Sequence, residues 1–404
     1  MQPAVDTVIV GAGQAGLSLS HELAAASVDH VVLERARVGE TWRGRWDSFC
    51  LVIPNWTVQL PGGRYRGDDP DGFMPKSEIV GHLVAYADSF RAAVREGVTV
   101  TSLEPGERGG FLLRTSAGEI RARDVVLATG GYQKAHRPVA AAQLPASVHA
   151  IDAEEYANPN ALPPGKVLIV GSGQTGCQLA EEISEAGRDV SLACGRAPWV
   201  PRRLEDRDTI AWLNETPFFD VTLSDLPSLQ WRLLSNPQMS GRRGGHDLNY
   251  RTLQAQGVRL LGRFIGVADG RAQFASDLAE SVAFGDARWV DICELIRKAC
   301  AARSVRPPEM PRPPAFVGDA PQSLPISDFE TVIFTTGFRP DYASWVRFPE
   351  AFDDEGFPIQ KDGSSTTVPG MHFMGVRFQR KRKSTTLLGV GEDATVLAGK
   401  MSAV

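Results

Sequence analysis

The sequence predicts an α/β fold in which two Rossmann-like domains are nested, the second inserted in the first. Three observations carry that prediction. The stretches TVIVGAGQAGLSLSHEL (residues 7–23) and KVLIVGSGQTGCQLAEEI (166–183) each run from an apolar, β-branched segment through G-x-G-x-x-G into a helical pattern. Two later stretches, DVVLATGGY (124–132) and TVIFTTGFRPDY (331–342), read as buried strands closed by a Thr-Gly turn. Turn-forming and proline-rich segments, ANPNALPPG (157–165) and RPPEMPRPPA (306–315), bracket the second glycine turn and read as the two crossings between domains.

Each glycine has its own task. Gly11 and Gly171 permit the tight turn out of the strand. Gly13 and Gly173 let the backbone approach a pyrophosphate, and Gly16 and Gly176 let the helix pack closely on the strand. The helices open at Gln14-Ala15 and Gln174-Thr175, where free amides and the helix dipole favour an anion. A single copy of this pattern is weak; two copies, each between strand and helix, specify two dinucleotide cradles.

The residue about 20 positions downstream says which nucleotide each cradle takes. In the first copy HVVLER ends at Glu34, with Arg35 beside it. A carboxylate there accepts from a ribose and repels a 2′-phosphate. The corresponding position of the second copy, in DVSLACGR, is Cys194; Arg196 follows, and Arg202 and Arg203 come just beyond in PWVPRR. A guanidinium pairs with phosphate through a planar fork. The first cradle reads as an FAD site and the second as an NADPH site, although a solvated arginine loop remains an alternative. One nucleotide is then a resident flavin and the other its reductant.

The domain plan follows. The FAD domain is expected to be discontinuous, residues 1–157 plus 325–404, with the NADPH domain at 160–320. Residues 204–256 interrupt the latter with an aromatic-rich segment (Trp212, Phe218, Phe219, Trp231, Tyr250) expected to be helical, either a satellite core or a substrate lid. The 404 residues are 43% apolar and 23% charged, with a net charge of −5, so bulk electrostatics favour neither nucleic acid nor an anionic membrane. No apolar run is long enough to span a bilayer, and no signal peptide is expected. The five cysteines include no C-x-x-C, and neither they nor the histidines have metal-ligand spacing, so no metal is expected. A cytoplasmic protein is expected, with a homodimer compatible.

Taken together, these segments resemble the flavin-containing monooxygenase family, the class B flavoprotein monooxygenases, over nearly the whole chain. GETWRGRWD (39–47), containing Thr41, Trp42, Arg45 and Trp46, matches a segment the family keeps beside the flavin. The turns at Thr129-Gly130 and Thr336-Gly337 match its return strands. Gly375 in MHFMGVRF, and Gly389 and Gly391 in LLGVGEDA, match the region that lies against the flavin ring and ribityl chain. The resemblance implies a C4a-hydroperoxyflavin that oxygenates a soft nucleophile, nitrogen rather than sulfur, with O₂ and a small molecule as co-substrates. It also marks Asn55, in VIPNWTVQLPGG, as a catalytic amide near the flavin, though Asn55 reads equally as a turn residue. One departure is clear. In ASVHAIDAEEY (146–156) only Tyr156 fits the family's F-x-G-x-x-x-H-x-x-x-W/Y fingerprint; the histidine position holds Asp152, and His149 sits three residues early.

Two further readings concern chemistry. RFQRKRKS (377–384) concentrates basic residues in an acidic chain, so Arg380, Lys381, Arg382 and Lys383 are expected either to form a solvated loop or to bind an anionic substrate or the NADPH phosphates. A flavin disulfide reductase shares both nucleotide folds but needs a redox cysteine pair, for which the spacing is wrong. A flavoprotein oxidase or dehydrogenase, or a sensor without turnover, stays open.

Overall fold

The computed structural model describes residues 5–107, 109–318 and 320–402. In the first half, β1 (Val5–Val10) leads to α1 (Gln14–Ala25), β2 (His30–Leu33), β3 (Val94–Arg95), β4 (Val100–Pro105), β5 (Phe111–Thr115) and β6 (Gly118–Leu127). The chain then runs through β7 (His149–Asp152), β8 (Lys166–Val170), α2 (Gln174–Glu185), β9 (Val190–Ala193), α3 (Tyr250–Ala255), β10 (Arg259–Leu261), α4 (Leu278–Ala302) and β11 (Phe329–Phe334). It closes with β12 (Met371–Phe373) and α5 (Val390–Met401).

These strands make two sheets, each with a glycine turn at its centre. In the first, β12, β6, β1, β2 and β3 are parallel neighbours, and β4 and β5 extend β6 as an antiparallel meander. In the second, β7, β11, β8, β9 and β10 are all parallel. Both central strands are buried on both faces, which is why they read as continuous Val/Ile/Leu runs rather than alternating ones. Apolar clusters built on Ile9, Leu17 and Leu397 and on Val8, Val125 and Phe373 cover the two faces of the first sheet. Ile169, Leu179 and Ile183 on one side, and Leu168, Phe274 and Phe329 on the other, cover the second.

The domain seam lies elsewhere than the breaker residues indicate. Strands β7 and β11, expected within the FAD domain's 1–157 and 325–404, both pair in the second sheet. The crossings are instead Lys134–Ala135 and Phe338–Arg339, which form a two-residue antiparallel ribbon. His136 N–H donates to the Gly337 carbonyl at 2.9 Å, and the Thr336 hydroxyl donates to the His136 carbonyl, so the two connections leave together. The 157–165 and 306–315 stretches are loops inside the second domain, where β8 begins and where the chain returns from α4.

The 204–256 segment is not mainly helical. It holds one five-residue helix, Thr209–Leu213, then 3₁₀ turns at 217–219, 223–225, 229–233 and 242–244 before α3. Pro217, Pro227 and Pro237 each withdraw a backbone donor and interrupt helix propagation. The segment makes a satellite core of Leu204, Ile210, Leu213, Phe218 and Met239 with Trp289 of α4, and that core packs against Ile53 and Trp56 of the first domain. Of the two expected readings, the satellite core is what this packing describes.

Candidate nucleotide and substrate sites

The two cradles are built alike. Gly11 and Gly171 have φ of +112° and +106°, the left-handed region that excludes most side chains. A Cβ on Gly11 would stand 2.5 Å from the Ala128 carbonyl oxygen, and one on Gly171 would stand 2.9 Å from that of Thr335. The two Thr-Gly turns are thus the floors on which the two cradle glycines rest. A Cβ on Gly16 or Gly176 would overlap the carbonyl oxygen of Gly11 or Gly171, so the third glycine sets the helix–strand distance. Gly13 differs: a Cβ there meets nothing within 4 Å, and at Gly173 it meets only Ser235, at 3.4 Å. That open space, faced by the first amides of α1 and α2, is what a pyrophosphate requires, so the residues present fit two dinucleotides.

In the first cradle Glu34 is buried and accepts from Ala12 N–H at 2.9 Å and Ala36 N–H at 3.0 Å, fixing the loop that a ribose would meet. Arg35 and Thr41 are exposed beside it. The indole N–H of Trp42 donates to Gln14 Oε1 at 3.0 Å, and Gln14 Nε2 donates to the Thr385 carbonyl at 3.3 Å. The GETW segment, the cradle helix and the C-terminal segment are thereby tied together. Gly375 abuts Ala15 at the head of the cradle helix, and Gly391 abuts the Gln59 carbonyl. Gly389 packs on Lys383. Thr129 and Gly130 accept from Gln133 Nε2 at 3.1 and 2.9 Å.

In the second cradle Gln174 plays the part of Gln14 and holds the insertion, accepting from Met239 N–H at 3.1 Å. The turn carrying Arg196 is fixed by a buried network. Tyr250 OH donates to the Gly195 carbonyl at 2.6 Å, and Gly195 N–H donates to Ser172 Oγ at 2.8 Å. Gln238 Nε2 donates to the Ser172 carbonyl at 2.6 Å. Ser172, Gln238 and Tyr250 were missed as site residues: the last two sit far from the glycine turn in sequence. Arg196 itself is exposed.

Several expected ligands are spent inside the protein. Arg202 is buried, paired with Asp208 at 2.6 Å and donating to the Val52 carbonyl at 2.7 Å, so its fork faces away from a nucleotide. Arg203 donates to the Gly244 and Gly245 carbonyls at 2.8 and 3.0 Å. Trp46 lies in the second domain's core, edge-on to Phe49, rather than against a flavin. Arg45 stacks 4.1 Å over Tyr132. Asn55 donates to the Asp69 carbonyl at 2.9 Å and accepts from Met74 N–H at 2.7 Å, which consumes both ends of the amide in a loop staple. In the eroded fingerprint, His149 is exposed on β7 and Tyr156 is buried in the second core.

The basic run is not a free cationic mouth. Arg380 faces Asp393 at 3.4 Å and Asp362 at 3.6 Å; Lys381 faces Asp220 at 2.8 Å; Lys383 faces Glu392 at 2.5 Å. Of Arg380, Lys381, Arg382 and Lys383, Arg382 alone has no carboxylate within ion-pair distance among the described residues; Arg377 donates to the Arg232 carbonyl. The five cysteines are free and buried, and burial pushes the thiols of Cys50 and Cys293 up to about 11 and those of Cys177 and Cys194 well above their ordinary value. Among the described residues no helix is long and apolar enough to cross a membrane, and no cluster of His, Cys, Asp or Glu could hold a metal.

Residues 8–217 match the pyridine nucleotide-disulphide oxidoreductase family model, just over half of the chain. An uncharacterized CzcO-like oxidoreductase of Geobacillus kaustophilus is 29% identical over 98% of both chains. A flavin-containing monooxygenase from Stenotrophomonas maltophilia superposes over 100% of this chain and 99% of its own, with a TM-score of 0.69 at 18% identity. OTEMO in complex with FAD and NADP superposes over 100% of this chain and 86% of its own, with a TM-score of 0.57 at 15% identity. The chain belongs to the pyridine nucleotide-disulphide oxidoreductase family, is an oxidoreductase, and shares its fold with flavin-containing monooxygenases.

Proposed function

We propose that the protein is a monooxygenase that consumes NADPH and O₂ to oxygenate a soft nucleophile, nitrogen in preference to sulfur, on a small anionic substrate. One observation carries the reading: two open glycine cradles in one chain, joined by a common ribbon, with an aromatic cover packed against the first domain. Bound FAD supplies hydride acceptance and oxygen activation. The residues that hold it are Gly11, Gly13, Gly16, Gln14 and Glu34, with Gly375 and Gly391 closing the cradle. Arg196, on the turn that Ser172 and Tyr250 fix at Gly195, would hold the 2′-phosphate of NADPH. The cover formed by residues 204–256 keeps water from the reacting centre, which an oxygenase needs if reducing equivalents are not to leak to peroxide.

The cysteines weigh against dithiol chemistry. A disulfide reductase needs an accessible thiol that ionises near neutral pH. Here all five thiols are buried and free, and burial raises those of Cys50, Cys177, Cys194 and Cys293; free thiols also favour a reducing compartment such as the cytoplasm. The test is turnover of the purified protein with NADPH and ¹⁸O₂ in the presence of amine and thioether panels. Label from O₂ in the product supports oxygen insertion. A product dehydrogenated without oxygen gain means the oxidase alternative, and NADPH that leaves the flavin unbleached means a sensor.

A further inference from the structure

Four basic residues stand in a row at 380–383, and their surroundings are not equivalent. Arg380, Lys381, Lys383 and the nearby Lys400 are matched by Asp220, Asp362, Glu392 and Asp393, each cation within 3.4 Å of at least one carboxylate. Those groups balance. Arg382 is the remainder. Its backbone N–H donates to the Val221 carbonyl at 2.7 Å, but its side-chain Nε is buried with no hydrogen-bond partner among the described residues. Its guanidinium lies 4.6 Å over the Phe218 ring and 5.6 Å from that of Phe378. Burial depresses its proton affinity with no carboxylate opposing the effect. The deeply buried arginines, Arg202 and Arg232, by contrast each hold an acid.

A half-buried guanidinium flanked by two aromatic rings and, among the described residues, facing no carboxylate is destabilising unless something supplies an anion. Its place is informative. Three residues on, the Thr385 carbonyl accepts from Gln14 at the head of the first cradle helix. Phe218 belongs to the satellite core that packs on Trp56. Arg382 therefore lies in the wall between the flavin cradle and the cover.

We propose that Arg382 is the seat of a carboxylate carried by the substrate, with Phe218 and Phe378 flanking an apolar, preferably aromatic, body. One uncompensated charge among balanced neighbours suits a monoanion; a phosphate dianion would bring an excess negative charge beside Asp220 and Glu392. The planar fork matches a carboxylate through two parallel N–H groups, and the rings exclude water from the pair. The inference rests on the oxygenase reading for what happens to the bound molecule, but not for the binding itself.

The test uses the FAD-loaded protein without NADPH or O₂ turnover, so its outcome is independent of whether oxygen is inserted. Phenylacetate and benzoate serve as probes, phenylacetamide and benzamide as their uncharged counterparts, and inorganic phosphate as the dianion. Binding is read from the visible flavin difference spectrum and from Tm. In the wild-type protein the carboxylates should perturb the flavin and raise Tm, while the amides and phosphate do neither. Arg382→Met should weaken carboxylate binding at least tenfold, and Arg382→Lys should retain part of it. Tm of ligand-free Arg382→Met should hold or rise, since the variant removes an unmatched charge; a residue needed only for packing would lower it. The proposal is overturned if neither carboxylate perturbs the wild-type protein, if amides bind as well as carboxylates, or if Arg382→Met binds phenylacetate unchanged. It is equally overturned if that variant loses NADP⁺ affinity and keeps carboxylate affinity, because the guanidinium then serves the nucleotide.

Discussion

At the scale of single residues, the cradle glycines separate folding from binding. Gly13 has an ordinary φ of −84°, and a side chain on it meets no protein atom. Gly13→Val should therefore fold with a normal circular dichroism spectrum and purify without the yellow flavin. Retention of one FAD per chain would remove the first cradle from the site. Gly16→Ala should instead fail to fold, since its Cβ has no room. Arg196→Ala loses one charge-assisted contact, on the order of 1.5–3 kcal/mol, or roughly ten- to a hundredfold in KM for NADPH, with KM for NADH little changed. Equal use of the two nucleotides by the unaltered protein contradicts that role. The glycines were legible because the strand–turn–helix pattern that marks them is local, even where the carbonyl they abut, that of Ala128 or Thr335, is distant in sequence. Arg202, Trp46 and Asn55 were not, because what they touch arrives from elsewhere: the Val52 carbonyl, the core of the other domain and the 69–74 loop.

At the scale of elements, the insertion is held shut by a clamp. Arg232 is 5% exposed, lies 3.6 Å over Phe357, and pairs with Asp353 at 2.9 Å and Glu355 at 2.6 Å. Arg377 donates to the Arg232 carbonyl at 3.2 Å, so the strap at 217–234 is bound to the C-terminal half of the first domain at several points. The acids are about one-third exposed and rehydrate once released, so Arg232→Met should cost only about 1–2 kcal/mol of global stability. Its larger effect should be on containment: faster proteolysis within 217–234 and a several-fold rise in peroxide formed per NADPH consumed. Unchanged coupling in this variant means the strap does not shield the reacting centre. The insertion's existence was legible from its aromatics, but its form was not. Aromatic density reads as helix, whereas the prolines and a dispersed set of carboxylate partners make it a chain of short turns.

At the scale of the whole molecule, a titratable pair ties the insertion to the second cradle helix. Hydrogen bonding to Glu181 of α2, with burial opposing, raises His246 above its ordinary 6.5. A raised folded-state value means that stabilisation is fully present below the unfolded value and fades as pH rises through the folded one. The Tm difference between wild type and His246→Gln should therefore be largest near pH 6 and shrink toward pH 8. A constant difference across that range would show that the imidazole acts by packing alone. Nesting of one domain in the other was also legible, but its boundaries were not. Proline-rich loops advertise themselves in a sequence; a ribbon of two residues against two does not, and it is the ribbon that carries the chain across.

That ribbon has a consequence for how such a chain can arise and be re-engineered. His136 and Gly337 are hydrogen-bonded neighbours, so the second domain leaves the first and returns at a single point. An element whose ends meet can be transplanted as one cassette: its removal leaves a gap that a short turn closes, and its acquisition requires one insertion event rather than two coordinated ones. The matching contacts of Gly11 on Ala128 and Gly171 on Thr335 give such a cassette the same seat on a return strand as the domain that receives it.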